Sequence, residues 1–181
     1  MSVSSDLPSR AELLREMLWA GRQMSTSTIM LHQAVADRLG LHPTDHKCAD
    51  LLHINGPMTA GELADLTGLT TGAITGVIDR LEAADFVRRE DDPDDRRRVI
   101  VRVVPKSLHR VGRLFQSLAA AMVELCGHYT DRELATILDF MTRSREVARQ
   151  ETMKLRQTGP SRKREASGVR RRRPAGPRRV G

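Results

Sequence analysis

Residues Gly56 to Val103 read GPMTAGELADLTGLTTGAITGVIDRLEAADFVRREDDPDDRRRVIVRV, and their periodicity decides the fold. Thr59-x-x-Glu62 is a capping box, in which each residue satisfies an orphan N–H at a helix start. It opens a short helix with Leu63, Ala64 and Leu66 inside, closed by Gly68. Thr70 or Thr71 caps the next helix, where Ile74, Val77, Ile78 and Leu81 recur at i, i+3, i+4 and i+7. Two short helices joined by Thr67-Gly68-Leu69-Thr70 form a helix-turn-helix. The period then drops from 3.6 to 2. Phe86–Arg89 and Arg98–Val104 are rich in β-branched residues and predict two strands, joined by a charged loop over Glu90–Arg97 with Pro93 as breaker. A helix-turn-helix followed at once by a β-hairpin is a winged helix.

Outside this stretch the pattern is helical. From about Pro8 to Gly40, apolar or small residues recur at Leu14, Met17, Leu18, Gly21, Met24, Thr28, Leu31, Val35 and Leu39, which predicts one long helix. Thr44 is placed to cap a second helix with Cys48, Leu51 and Leu52 on its buried face, stopped by Asn55-Gly56-Pro57. After Pro105 a stripe of Leu108, Val111, Phe115, Leu118, Met122 and Leu125 runs to Gly127. A second capping box, Thr130-x-x-Glu133, opens a last helix with Leu134, Ile137, Leu138, Met141 and Ala148. The expected fold is mainly α with a small β-hairpin wing, a winged helix-turn-helix flanked by long dimerisation helices. The predicted organisation is an N-terminal dimerisation helix (8–40), a winged helix-turn-helix (44–104), C-terminal dimerisation helices (105–155) and a disordered Arg-rich tail (156–181). The helical stripes are longer than one small domain needs to cover, and a homodimer would bury the excess.

Charge sharpens the functional reading. The 181 residues carry a formal net charge of +7. Residues 156–181 hold ten basic residues and one acid, so the tail is +9 and the body −2. Arg170, Arg171, Arg172 and Arg173 form the densest run, suited to sequence-independent phosphate contacts. Aromatics are only 3% of the chain, which argues against base-stacking RNA or single-strand surfaces. No apolar stretch approaches the roughly 18 residues of a membrane span. The N-terminus lacks the apolar core of a secretory signal, and Cys48 and Cys126 are too far apart for a CxxC motif. A cytoplasmic protein without membrane contact is expected. No nucleotide-binding, hydrolase or zinc-protease motif is present, so neither catalysis nor a cofactor is expected.

The stretch from Thr44 to Val104 resembles the winged helix of MarR-family transcriptional regulators. Asp92-Pro93-Asp94-Asp95-Arg96-Arg97 matches the family's Asp-Pro-x-Asp-Arg-Arg wing, and Gly56 to Ala64 matches its Gly-x-x-Thr-x-x-Glu-Leu-Ala. The resemblance implies a dimeric, sequence-specific binder of double-stranded DNA whose affinity changes when a small molecule or an oxidant acts. With the dimer expected from the helical stripes, the expected function is a repressor on a pseudo-palindromic operator, relieved by a small-molecule effector. Three features depart from the family. Asp85 stands where Gly is usual, but Asp tolerates a positive φ. Val103-Val104-Pro105-Lys106-Ser107 replaces the usual Leu-Thr-x-x-Gly, and the Arg tail is additional.

Candidate DNA-contacting residues follow. The fourth helix has an outward face of Thr71, Gly72, Thr75, Gly76, Asp79 and Arg80, with Thr70 at its start. Glycines inside a helix cost about 1 kcal/mol each, and a face without side chains lets the backbone approach base edges. Threonines suit phosphate or a thymine methyl, and Arg80 a phosphate or a guanine. In the wing, one or two of Asp91, Asp92, Asp94 and Asp95 can pair with Arg97 or with the loop backbone, Asp92 and Asp95 being the candidates carried forward, and this leaves an arginine among Arg96, Arg97 and Arg98 for the minor groove. The resemblance points to Asp95 and Arg97 as the shaped pair and to Arg96 or Arg97 as the inserted residue. His42, His46, Cys48 and His53 lie close together, but Pro43 and Thr44 break the spacing, and no metal site is expected. Cys48 and Cys126 are expected to be buried and inert. Two other readings compete: a sequence-independent architectural DNA binder driven by the tail, and a protein-interaction winged helix, which would have no need of Arg96-Arg97-Arg98.

Overall fold

The computed structural model describes residues 8–158. The order is α1 (Arg10–Leu39), α2 (Pro43–Asn55), β1 (Met58–Thr59), α3 (Ala60–Thr67), α4 (Thr71–Ala83), β2 (Val87–Asp91), β3 (Val99–Val103), α5 (Pro105–Cys126) and α6 (Asp131–Thr158). Two compact units divide at Thr130, the second consisting of α6 among the described residues. The helical tail end corrects one expectation: α6 continues to Thr158, past the predicted boundary at 155. Arg170–Arg173 lie outside the described residues.

Local chemistry sets the helix ends. Ser9 and Glu12 form a capping box on α1, and Gly40 closes it at φ 69°. Thr59 and Glu62 form the predicted box on α3, and Gly68 closes that helix at φ 74°. Thr70, rather than Thr71, caps α4: its hydroxyl accepts from the Ala73 N–H at 3.3 Å. Thr44 does not cap α2. Pro43 is already helical, and the His42 ring nitrogen accepts from the Thr44 N–H at 3.2 Å instead. Proline suits the first helical position because its missing N–H would be unpaired there anyway.

The sheet is antiparallel in the order β1-β3-β2. β1 is only two residues long, pairing Met58 with Val101 and Thr59 with Ile100, and sequence reading missed it. Glu90 and Asp91, expected in the loop, extend β2 instead. Asp85 does take the left-handed turn, at φ 58°, so the chain reverses without the family glycine. Phe86 then anchors the exit of the wing. Its carbonyl accepts from the Val104 N–H at 2.9 Å and from the Ser107 hydroxyl at 3.1 Å. Ser107 is thus fully used where the sequence departs from the family at the start of α5.

One apolar core holds α2, α3, α4 and the sheet together. It includes Cys48, Leu52, Leu63, Ile74, Ile78, Leu81, Phe86 and Val101, all nearly inaccessible. Leu66, expected inside α3, is 47% exposed, and Leu51 is only half-buried. On α1 only Val35 and Ala36 are buried, while Leu14, Met17, Leu18, Trp19 and Met24 face outward. α5 likewise exposes Leu118, Met122 and Leu125, and α6 exposes Ile137, Leu138, Phe140 and Met141. Cys126 is exposed with them, contrary to expectation.

Candidate nucleic-acid interface

α4 packs Ile74, Val77, Ile78 and Leu81 into the core, which turns Thr71, Gly72, Thr75, Asp79 and Arg80 outward. The fold itself does not require glycine on this face. A Cβ at Gly72 would meet nothing within 4 Å, and one at Gly76 would meet only the Arg80 Nη1 at 3.5 Å. The Thr75 hydroxyl donates to the Thr71 carbonyl at 3.0 Å, leaving its methyl and lone pairs at the surface.

Two members of this face are not free. Arg80 donates from Nε and Nη2 to the two Asp45 carboxylate oxygens, at 2.8 and 2.7 Å. Asp45 is 2% exposed, and the hydrogen bonds to it raise the Arg80 pKa further. Asp79 receives the Arg89 guanidinium, which also meets Glu82. Arg89 sits on β2, so this cluster ties the hairpin to α4, and the Arg89 N–H donates to Glu82 at 3.0 Å as well.

The wing loop is closed by its backbone. The Asp92 N–H donates to the Arg98 carbonyl at 3.0 Å, and the Arg98 N–H to the Asp95 carbonyl at 2.9 Å. Asp92 and Asp95 fold their side chains back, accepting from the N–H groups of Asp94 and Arg97, both at 3.0 Å. Asp95 therefore grips the main chain of Arg97, not its guanidinium. Arg98 turns away from the tip, donating to Glu62 at 3.0 Å with Asp92 3.7 Å off. Glu62 is held below the usual carboxylate range, chiefly by the Thr59 N–H and hydroxyl and then by Arg98. Arg96 and Arg97 remain exposed at the tip, and neither guanidinium enters an ion pair.

The histidine cluster disperses. His42 is a helix cap, and His53 is exposed. His46 is buried, its Nε2 3.4 Å from the His32 Nδ1. Burial, and then His32, push its pKa down. The Cys48 thiol is buried and pushed up to about 11, chiefly by burial, so it carries little thiolate. Between α1 and α2 lies a cleft of about 310 Å³ lined by Thr28, Ile29, His32, Gln33, Pro43, His46 and Lys47. Sequence reading missed both Asp45 and His32. The one available signal was a charged residue at position 45 within the buried stripe of α2.

A model of the MarR family matches residues 41–99. The chain is 44% identical over 149 residues to the uncharacterised HTH-type transcriptional regulator YcgE of Bacillus subtilis, covering 82% of this chain and 97% of that one. The chain belongs to the MarR family. Among solved structures, a MarR family protein from Bacillus stearothermophilus aligns with a TM-score of 0.58 at 18% identity, covering 80% of this chain and 99% of that one. Tm0710 of Thermotoga maritima aligns with a TM-score of 0.56 at 20% identity, over 77% and 98%. This MarR-family chain is a DNA-binding transcriptional regulator with the winged-helix fold expected from its sequence. Among its described residues no helix is long and apolar enough to cross a membrane.

Proposed function

We propose that this regulator is a homodimeric repressor that binds a pseudo-palindromic operator in the cytoplasm. The observation that carries the reading is the pairing of two exposed elements: the side-chain-poor face of α4, and a wing tip whose Arg96 and Arg97 are unpaired while its aspartates hold the loop. Thr70, Thr71, Gly72, Thr75, Gly76 and Arg80 would enter the major groove. Arg96 or Arg97 would enter the minor groove, on a loop shaped by Asp92 and Asp95. Arg98, engaged by Glu62 on α3 in the free chain, would hold the wing in place rather than enter the groove. The run Arg170–Arg173 adds phosphate contacts that carry no sequence information.

Dimerisation is supported by the apolar residues that α1, α5 and α6 each leave exposed, which a second copy of the chain would cover. A twofold axis places two recognition helices about one DNA turn apart. The α1–α2 cleft, where Ile29 and Pro43 sit among Thr28, His32, Gln33, His46 and Lys47, would be the place for an effector. Footprinting of the purified full chain on genomic DNA, with sedimentation in parallel, tests the reading. Discrete twofold-symmetric footprints from a dimer support it. A monomer at micromolar concentration, or uniform protection of any DNA, overturns it.

A further inference from the structure

We propose that Arg80 reads a guanine in the major groove and that Asp45 is the residue that aims it. The proposal rests on the DNA-binding reading above and extends it to one base and one positioning residue.

The geometry assigns each edge of the guanidinium a role. Asp45 accepts from Nε and Nη2, so the carboxylate occupies the side edge of the fork. An arginine has five N–H donors, and the end edge, formed by Nη1 and the second hydrogen of Nη2, remains unused. Two parallel donors on one edge match the O6 and N7 acceptors that guanine presents in the major groove. The guanidinium lies back along α4 with Nη1 3.5 Å from where a Gly76 Cβ would stand, and the absent side chain leaves that edge open.

Exposure separates this arrangement from a simple staple between helices. The Asp45 side chain is 3% exposed and the Arg80 side chain 57%. The anchor is hidden and the cation stands outside. Charge favours a base over a phosphate. Asp45 largely cancels the field of Arg80, which weakens attraction to a phosphate, but it leaves the directional donors intact. It also removes rotamers that a free arginine would lose on binding. Asp45 and Arg80 are 35 residues apart, so α2 contributes to base reading without touching DNA.

The test is selection from randomised duplex DNA with the full chain and with Arg80→Ala, Arg80→Lys and Asp45→Asn. The unaltered chain is expected to enrich guanine at one position in each half-site. Arg80→Ala and Arg80→Lys should lose that preference, roughly tenfold to a hundredfold, while the other positions persist. Asp45→Asn should broaden the same position, and circular dichroism shows whether it folds. If it does not, Asp45→Glu, which keeps a carboxylate but displaces it along the Arg80 fork, takes its place, and an unchanged guanine preference in whichever of the two folds removes Asp45 from the reading. Unchanged preference in Arg80→Lys overturns the proposal, and so does weakening spread evenly over all positions, the mark of a phosphate contact. If the unaltered chain enriches no sequence, the regulator reading falls and this inference with it. If it enriches a site with no Arg80-dependent guanine, only this inference falls.

Discussion

Replacing Gly72 by alanine should make the protein more stable and its DNA binding weaker. In the free protein a Cβ at position 72 meets open space within 4 Å, and the residue is in ordinary helical conformation, so the methyl introduces no clash. Alanine removes the entropy that glycine loses on folding, a gain of about 0.5–1 kcal/mol at such a site. For a winged-helix unit of this size that raises the melting temperature by roughly 2–8 °C. On DNA the same methyl projects from the face proposed to approach the base edges. Overpacking a close-fitting surface costs about 1–3 kcal/mol, which corresponds to a loss of affinity of roughly fivefold to 150-fold. Calorimetry of the free chain and competition binding to its footprinted site measure the two quantities separately. A variant that is stabilised and binds its site undiminished would show that α4 does not approach the duplex through this face. A destabilised variant would refute the packing reasoning itself.

Arg97→Ala should weaken binding to the specific site strongly without lowering the melting temperature, because its guanidinium holds no partner in the fold; a comparison of site and non-site DNA checks this. Deleting residues 159–181 should weaken both kinds of DNA about equally and flatten the dependence of affinity on salt, since nine basic residues are lost; titrations at several ionic strengths read the slope. Leu81→Ala should cost about 2–5 kcal/mol, because Leu81 is fully buried at the centre of the core; urea unfolding gives the value. Stability should fall as pH drops below about 6.5. The unfolded chain protonates His46 there, whereas burial and then His32 disfavour protonation of the folded ring, with Lys47 adding to that effect and Asp50 opposing it. His46→Gln should flatten the dependence in melts between pH 5.5 and 7.5.

The helix-turn-helix was readable because its signals are local. Thr59 meets Glu62 three residues away, Gly68 terminates the turn that contains it, and the Ile74–Leu81 stripe needs only a 3.6-residue period. Asp85 could be trusted to turn because its tolerance of positive φ belongs to the residue itself. The errors came where a partner lies far along the chain or where an end is ambiguous. Thr44 looks like a cap until Pro43 is allowed to start the helix. Leu66 and Cys126 lie on apolar stripes, yet each faces outward, because a stripe shows which side is apolar and not what covers it. The two residues of β1 are recruited by β3, more than forty positions later. The same holds for the site: the glycines and threonines of α4 and the wing motif could be read directly, but which arginines are free could not. Arg80, Arg89 and Arg98 are engaged by Asp45, Glu82 and Glu62, and only the folded chain brings those carboxylates within reach.

The ties from Arg89 to α4 and from Arg98 to α3 have a consequence for the operator. They bias the hairpin and the helix-turn-helix toward one opening, like the jaws of a sprung caliper, each exposed pair adding only a modest share. A duplex that gains one base pair between the two gripped grooves turns one of them by about 34–36° around the helix axis, relative to the other. The protein cannot follow by bending its wing unless those ion pairs break. On the reading proposed above, the spacing within each half-site would be tuned by Arg89 and Arg98, through the carboxylates they hold, as well as by the arginines proposed to touch the bases.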